Sequence, residues 1–327
     1  MSRLSRRGVT LAGGAAALGL AAGAPLAKTR PPAPAAPPKP SPPAFATEAE
    51  VADIRDGIRL YYVTAGLGAP VIFVHGSLSD YSYWQGQLAP FAQKYRVIAY
   101  SRRYDWPNDN PARRGYSAAL DAEDLAWFID GLNLGAAHIV GHSYGALTAL
   151  FLASRHPQLV RTVTLAEPPA MSLLAHLPGD LGPQGVAMLK DVRQHMVAPM
   201  KAAFAKHDTE GGVRSFIDYV KGPGAWDGFS AADKAATMKD AHEWEVIFAG
   251  GELFPEIRPA EVARIAAPVL MLSGAKSYPF LGLIDQALYA LLPANRRIIF
   301  PDATHQMWLE QPQGCREAVF ALIDGHG

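Results

Sequence analysis

The sequence predicts an α/β domain in which helices flank a mostly parallel sheet and a helical cap interrupts the fold. Short apolar runs alternate with helical segments from about residue 70 to residue 166. The alternation stops between residues 169 and 265, where helical stretches replace strands, and it resumes towards the C-terminus. Alternating strands and helices connect through right-handed crossovers, which gives parallel strands. We therefore expect residues 45–168 and 266–327 to form the core and residues 169–265 to cap the carboxyl edge of its sheet.

The first 30 residues have the composition of an export signal. Arg6-Arg7 precedes an uncharged, glycine-rich stretch that contains Ala22-Gly23-Ala24, a candidate cleavage site. A paired arginine before such a stretch resembles a twin-arginine export signal, the alternatives being an ordinary secretory signal or a retained membrane anchor. Alanine and glycine give little transfer energy into a bilayer. We expect an exported protein, periplasmic or secreted, without stable membrane insertion after cleavage.

Residues 31–44 are a proline-rich linker, since such proline density keeps the backbone extended. The folded domain is expected to begin near Phe45. Asp56-Gly57 separates two β-prone runs that predict a hairpin. The later predicted strands are 70–75, 96–100, 137–141, 160–166, 268–273 and 297–300, and the predicted helices are 81–94, 118–132, 144–156, 186–206, 281–292 and 312–323.

The charge balance argues against a nucleic-acid partner, and the cysteine count excludes two kinds of structural site. Lysine plus arginine number 30 and aspartate plus glutamate also number 30, whereas a nucleic-acid footprint needs excess basic charge. Cys315 is the only cysteine, which excludes an intramolecular disulfide and a cysteine-based zinc cluster. We expect Cys315 to be a small buried apolar residue. The sequence leaves the oligomeric state open.

Ser143 lies in the motif Gly141-His142-Ser143-Tyr144-Gly145, between a predicted buried strand and a predicted helix. This context indicates a serine raised on a sharp turn, where flanking glycines remove Cβ atoms that would clash. The amino end of the following helix points its N–H groups at the same place. The motif therefore predicts that Ser143 is a nucleophile.

His305 follows the last predicted strand, and its position selects it among ten histidines as the base. Strand alternation is expected to turn His142 to the side opposite the serine, and His138 stands at the wrong end of its strand. His75 is expected to be a structural hydrogen-bonding residue.

The base needs a carboxylate to hold its tautomer. The commonest place, directly after strand 268–273, holds no acid before Asp285. Glu167 follows strand 160–166, beside the serine turn, and is therefore the predicted acid. Asp302 and Asp285 remain alternatives, Asp302 being expected mainly to shape its turn.

Backbone donors for a developing oxyanion are expected at Ser77, in the loop after strand 70–75, and at Tyr144, with Leu78 as the alternative to Ser77. Aromatic and apolar side chains suggest a pocket for an apolar group. The residues proposed for its wall are Trp84, Trp106, Phe280, Met307 and Trp308. Arg102-Arg103 and Arg113-Arg114 are expected mainly to be solvated at the surface, the alternative being that they hold a substrate carboxylate.

These motifs resemble the α/β-hydrolase superfamily in its capped, single-domain branch, over roughly residues 50–325. The order of His75-Gly76-Ser77, Gly141–Gly145, Glu167-Pro168-Pro169 and Thr304-His305 carries the resemblance. The acid position is similar to that of some haloalkane dehalogenases. Those enzymes and the epoxide hydrolases, however, use an aspartate nucleophile.

The resemblance implies hydrolysis of a small, largely apolar ester or related acyl compound through an acyl-serine intermediate. No metal or organic cofactor is required. A lyase, C–C hydrolase or cofactor-free perhydrolase could use the same triad, and a non-catalytic binding protein is a further alternative.

Overall fold

The computed structural model describes residues 48–326, and the predictions for residues 1–30 and 31–44 lie outside this range. The described strands are β1 (Glu50–Asp53), β2 (Arg59–Ala65), β3 (Pro70–Val74), β4 (Arg96–Tyr100), β5 (Ala137–His142), β6 (Val160–Ala166), β7 (Val269–Gly274) and β8 (Asn295–Phe300). They form one sheet of order β1-β2-β4-β3-β5-β6-β7-β8. The predicted hairpin is confirmed, because β1 and β2 pair antiparallel, and every pairing from β4 to β8 is parallel.

Helices cover both faces of the sheet. The helices are α1 (Gln85–Ala92), α2 (Ala118–Gly131), α3 (Tyr144–Arg155), α4 (Leu181–Val192), α5 (Ala198–Phe204), α6 (Thr209–Lys221), α7 (Ala231–Lys239), α8 (His242–Gly250), α9 (Pro259–Val262), α10 (Pro279–Leu291), α11 (Met307–Glu310) and α12 (Pro312–Asp324). One apolar core joins α2, α3 and α10 to the sheet, and a second core joins α1 and α12 to the other face. Within residues 48–326, no helix has both the length and the apolar character needed to cross a membrane.

Strand β3 shows why the apolar runs in the sequence are continuous. Ile72 and Val74 enter the first core, while Val71 and Phe73 enter the second. Successive side chains of a strand point to opposite faces, so a strand with two covered faces needs an apolar residue at every position. The strand order places β3, β5 and β6 near the centre of the sheet, and the candidate site lies at the ends of these strands.

Residues 169–265, which we call the helical insertion, connect β6 to β7 through α4 to α9. The helix expected over 186–206 is confirmed in position, although a π-helical turn at Arg193–Val197 separates α4 from α5. Apolar side chains of the insertion, such as Met196, Trp226 and Trp244, belong to the first core.

The helix predicted over 81–94 is shorter than expected. The chain first forms a 3₁₀ turn at Tyr81–Trp84, and α1 follows it. The Asp80 side chain accepts a hydrogen bond from the N–H of Ser82 at 2.7 Å, which caps the tight turn at its start. The buried side chain of Trp84 thereby reaches the second core.

Candidate active site

Four loops meet at the carboxyl edge of the parallel strands. The loop after β3 carries Ser77, the turn after β5 carries Ser143, the end of β6 leads to Glu167, and the loop after β8 carries His305. Open α/β sheets bind ligands at this edge, because the loops there converge around the central strands. The order of the strands therefore assembles residues that are up to 228 positions apart in the sequence (from Ser77 to His305).

Ser143 has a strained backbone, with φ of 53° and ψ of −123°. Its N–H donates to the carbonyl oxygen of Ala166 at 2.8 Å, which fastens the turn to the end of β6. The turn requires glycine on both sides. A Cβ at Gly141 would lie 2.5 Å from the carbonyl oxygen of Gly145, and a Cβ at Gly145 would lie 2.3 Å from that of Val74. Such strain persists only where the surrounding structure enforces it, often at functional sites.

His305 and Glu167 form a buried pair. The distance between Nδ1 of His305 and Oε2 of Glu167 is 2.5 Å. The Glu167 carboxylate also accepts from the N–H of Gly274 at 2.8 Å and from the hydroxyl of Ser277 at 2.6 Å. Because Nδ1 faces the carboxylate, it carries the hydrogen, and the other ring nitrogen of His305 is left to act as an acceptor.

The two alternative acids lie elsewhere. Asp302 is exposed and pairs with Lys276 at 2.9 Å. Asp285 is buried, accepts from the hydroxyl of Ser273 at 2.7 Å, and pairs with Arg297. Neither carboxylate contacts His305, whereas that of Glu167 does.

His142 does not point away from the site, so the expectation from strand alternation is wrong. It lines a cavity together with Ser143, and its Nε2 donates to the carbonyl oxygen of His305 at 2.8 Å. Its ring stacks on the ring of Tyr83, with the two ring centres 5.1 Å apart. Burial holds the pKa of His142 well below its ordinary value, so the ring is neutral and anchors the backbone of His305.

His75 is a structural hydrogen-bonding residue, as expected. Its Nδ1 donates to the carbonyl oxygen of Gly76 at 2.8 Å, and its Nε2 accepts from the N–H of Arg102 at 3.0 Å. Burial lowers the pKa of His75 to about 3. His138 is also buried, and its Nδ1 lies 2.9 Å from the hydroxyl of Thr162, far from the site.

The two expected oxyanion donors flank Ser143. Ser77 and Tyr144 line the same small cavity as Ser143. Tyr144 is the first residue of α3, where backbone N–H groups have no partner within the helix. Leu78, the alternative donor, lies in a neighbouring cavity and has a positive φ of 54°.

Two cavities meet at Ser143 and His305. The inner one has a volume of about 50 Å³ and is almost wholly apolar. Besides the residues already placed, its wall consists of Pro169, Met196, Met200, Phe216, Trp244, Leu253, Phe254, Tyr278, Phe280 and Leu281. The outer one is larger, about 480 Å³, and includes polar groups of Lys221, Asp233 and Thr237. Most of these wall residues come from the helical insertion, which gave no sequence signal for them.

Of the five residues predicted for the pocket wall, only Phe280 lines the inner cavity. Trp84, Met307 and Trp308 are buried in the second core, and the rings of Trp84 and Trp308 meet at 5.0 Å. Trp106 is 45 % exposed, and Nζ of Lys239 lies 4.3 Å from the centre of its ring. These four predictions are corrected: three side chains are needed to fill the sheet–helix interface, and the fourth lies at the surface.

Arg102 is fully buried at the centre of a charged cluster, not solvated as expected. Its guanidinium group donates to Asp121 at 2.9 Å and to Glu243, and lies 3.1 Å from the carboxylate of Asp105. Burial raises the pKa of Asp121 to about 7 and that of Asp105 well above its ordinary value. Sequence reasoning missed the cluster, because its acids come from three separate elements.

Arg103 is also buried rather than solvated. Its Nε donates to the carboxylate of Asp124 at 2.6 Å. Cys315 is buried as expected, and burial raises the pKa of its thiol to about 12.

Comparison with known proteins agrees with this architecture. A family model described as alpha/beta hydrolase fold matches residues 69–203. The chain is 39 % identical over 127 residues to the dihydrolipoyllysine-residue acetyltransferase component of the acetoin cleaving system of Cupriavidus necator, covering 38 % of this chain and 33 % of that protein. It is 31 % identical to the non-heme chloroperoxidase CPO-A1 of Kitasatospora aureofaciens, covering 49 % and 58 % of the two chains.

Carboxylesterase CesB of Bacillus subtilis has a similar structure, with a TM-score of 0.65 at 20 % identity, covering 85 % of this chain and 92 % of that one. The chain spans about a third of the length of the first curated relatives that it matches. The sheet order, the turn at Ser143 and the matched family model agree on one conclusion: the chain has the α/β-hydrolase fold.

Proposed function

We propose that the protein is a serine hydrolase that cleaves a small, largely apolar carboxylic ester, with Ser143 as nucleophile, His305 as base and Glu167 as acid. The observation that carries this proposal is the buried Glu167–His305 pair beside a strained serine turn. A base oriented by a carboxylate, next to a serine on such a turn, is the arrangement that activates a hydroxyl for attack on an acyl carbon.

In the first half of the reaction, His305 takes the hydroxyl proton as Oγ of Ser143 bonds to the carbonyl carbon. The carbonyl oxygen becomes an oxyanion, which the N–H groups of Ser77 and Tyr144 stabilise. His305 then gives the proton to the leaving alcohol as its C–O bond breaks. In the second half, water attacks the acyl-serine, His305 accepts its proton and returns it to Oγ, and the carboxylic acid leaves.

The two cavities support a substrate with unequal sides. A volume of about 50 Å³ holds only a few non-hydrogen atoms, so the inner cavity fits a short apolar group on one side of the carbonyl. The outer cavity, with Lys221 and Asp233 on its wall, fits a larger and more polar group on the other side. This pattern favours short-chain esters over long-chain ones.

Ser143 also argues against epoxide hydrolysis, although epoxide hydrolase 3 of the mouse is 33 % identical over 121 residues. A serine that opened an epoxide would form an ether, which water does not cleave under these conditions. An acyl-serine is an ester, and a water molecule activated by His305 can release it.

Perhydrolysis is a second candidate, favoured by the match to the non-heme chloroperoxidase over 166 residues. In that reaction hydrogen peroxide replaces water, and the acyl-serine is released as a peracid. The same cavity and triad would serve, so the two candidates differ only in the second acceptor.

Burst-phase hydrolysis of p-nitrophenyl acetate tests the proposal, with p-nitrophenyl decanoate as a long-chain comparison and hydrogen peroxide as a competing acceptor. We expect a burst with the acetate, no burst for Ser143→Ala, and a reduction of turnover by about 10²-fold or more for Glu167→Gln. Full activity of Glu167→Gln would refute the assigned acid. The absence of burst and turnover on any simple ester would refute the esterase proposal itself.

We also propose that the protein is exported by the twin-arginine route, on the composition of residues 1–30. Cell fractionation tests this, since replacement of Arg6-Arg7 by two lysines should retain the protein in the cytoplasm. Export of that variant would favour an ordinary secretory signal.

A further inference from the structure

The peptide unit between Gly76 and Ser77 is held by two donors. Its carbonyl oxygen accepts from Nδ1 of His75 at 2.8 Å and from Nη2 of Arg102 at 3.1 Å. A trans peptide is planar, and its C=O and N–H groups point in opposite directions. Fixing the carbonyl therefore fixes the direction of the Ser77 N–H, which is one of the two proposed oxyanion donors.

Arg102 also contacts the other side of the proposed oxyanion site. Its Nε donates to the carbonyl oxygen of His75 at 3.2 Å, and its guanidinium carbon lies 4.9 Å from the ring centre of Tyr144. The side chain has no solvent exposure, so water cannot replace these contacts. Donation to a carbonyl polarises the whole peptide and strengthens the N–H at its other end.

The guanidinium group is in turn held by the helical insertion. Glu243 on α8 accepts a hydrogen bond from Nη1 of Arg102, and Glu243 is itself fully buried. Its second carboxylate oxygen has no hydrogen-bond partner among the described residues. Apart from a marginal 3.5 Å contact with the hydroxyl of Tyr116, Arg102 is the group that compensates this buried carboxylate.

We infer that Glu243 is a positioning residue that couples the seating of the helical insertion to the direction of the Ser77 N–H, through Arg102. This inference rests on the proposed function, since it concerns the same oxyanion site. When α8 is seated, Glu243 holds the guanidinium group against the Gly76 carbonyl, and the donor is aimed at the reacting carbonyl. When α8 moves away, that restraint is lost while Asp105 and Asp121 remain in contact with Arg102.

Glu243→Leu is the variant of choice. It preserves side-chain volume, and the two remaining carboxylates keep the arginine paired. Glu243→Gln keeps an acceptor oxygen without the charge and is expected to have an intermediate effect. Glu245→Leu on the same helix is the matched control, since Glu245 contacts His242 and Thr209 at the surface.

The measurements are kcat and KM for p-nitrophenyl acetate, together with the affinities of a trifluoromethyl ketone and of the corresponding methyl ketone. The first inhibitor forms a tetrahedral adduct with a developed oxyanion, and the second does not. For Glu243→Leu we expect kcat and trifluoromethyl ketone affinity to fall about tenfold, while KM and methyl ketone affinity change less than about twofold. For Glu243→Gln we expect kcat and trifluoromethyl ketone affinity to fall about threefold.

An equal loss of both ketone affinities would overturn the inference, because it would indicate general loosening of the site. Wild-type values in Glu243→Leu and Glu243→Gln, with the esterase activity intact, would overturn it while leaving the proposed function standing. Lack of ester hydrolysis by the wild type would overturn both. If Glu243→Leu does not fold, the affinities of Glu243→Gln and Glu245→Leu for the same two ketones are compared instead, and a selective loss of trifluoromethyl ketone affinity in Glu243→Gln alone would support the inference.

Discussion

The carboxylate of Glu167 accepts hydrogen bonds from His305, Ser277 and the N–H of Gly274, so its position is fixed by three donors. A carboxylate has about four lone-pair sites and can accept all of these bonds at once. Glu167 also has a positive φ of 52°, which turns the chain from the end of β6 into the helical insertion. Glu167 thus holds the ring of His305, the proposed base, and turns the chain at the same point.

Ser277→Ala should lower kcat for p-nitrophenyl acetate by about three- to tenfold with little change in KM, because the carboxylate loses one of the donors that hold it against His305. Steady-state kinetics measure this. Ser154→Ala is the control, since that hydroxyl bonds only to the carbonyl of Phe151 on α3. Equal kcat values for Ser277→Ala and the wild type would contradict the role of Ser277.

At the scale of elements, the site depends on how closely the start of α3 approaches the end of β3. Gly145 lies so near this strand that a Cβ there would meet the carbonyl oxygens of Val74 and His75, both at 2.3 Å. Backbone atoms on both sides leave no flexible side chain that could move aside. The turn at Ser143 is therefore set by the packing of a helix against a strand, and its strained backbone is maintained by that packing.

Gly145→Ala should destabilise the protein by about 3 kcal/mol, because the added methyl group forces α3 away from β3. Gly86→Ala is the matched control: apart from its own helix backbone and chain neighbours, a methyl group there would have no atom within 4 Å, and alanine favours the helix by up to about 1 kcal/mol. Urea unfolding of both variants gives the comparison. Similar stabilities for the two would refute the tight approach.

In the whole molecule, two sets of buried titratable groups act in opposite directions on stability. Burial lowers the pKa of His75 to about 3 and that of His138 to about 4, so their neutral forms contribute stability that is lost as pH falls below 6.5. Burial raises the pKa of Asp121 to about 7 and that of Asp240 to about 6. Their protonated forms contribute stability that is present below pH 3.8 and is lost as pH rises towards those values.

His138→Gln and Asp240→Asn should therefore change the pH dependence of the unfolding free energy in opposite senses. Relative to the wild type, His138→Gln should become more stable as pH falls from 6.5 to 4, and Asp240→Asn should become more stable as pH rises from 4 to 6. Each variant should alter proton uptake on unfolding by about one proton. Urea titrations at several pH values test this, and curves parallel to that of the wild type would contradict it.

Local sequence patterns predicted the strands, the order of the main helices and the positions of Ser143, Glu167 and His305, because each of these residues lies in the segment that follows a strand. They did not predict the cavity wall, since Met196, Phe216 and Trp244 come from helices whose packing depends on distant contacts. Trp84 and Trp308 were misplaced for a related reason: an aromatic residue fits a core as well as it fits a pocket. The Arg102 cluster joins acids from distant segments and has no local motif.

The hydroxyl of Ser277 touches the same Glu167 oxygen that faces His305, although the two residues follow different, adjacent strands. The segment after β7 therefore borders the space that the Glu167 carboxylate occupies. We expect a carboxylate introduced at position 277 to enter the space that Glu167 now occupies once the side chain at position 167 is shortened. The proposed triad would then take its carboxylate from the neighbouring strand end, with Ser143 and His305 unchanged. Such an exchange would also release the segment that leads into the helical insertion from its contact with His305.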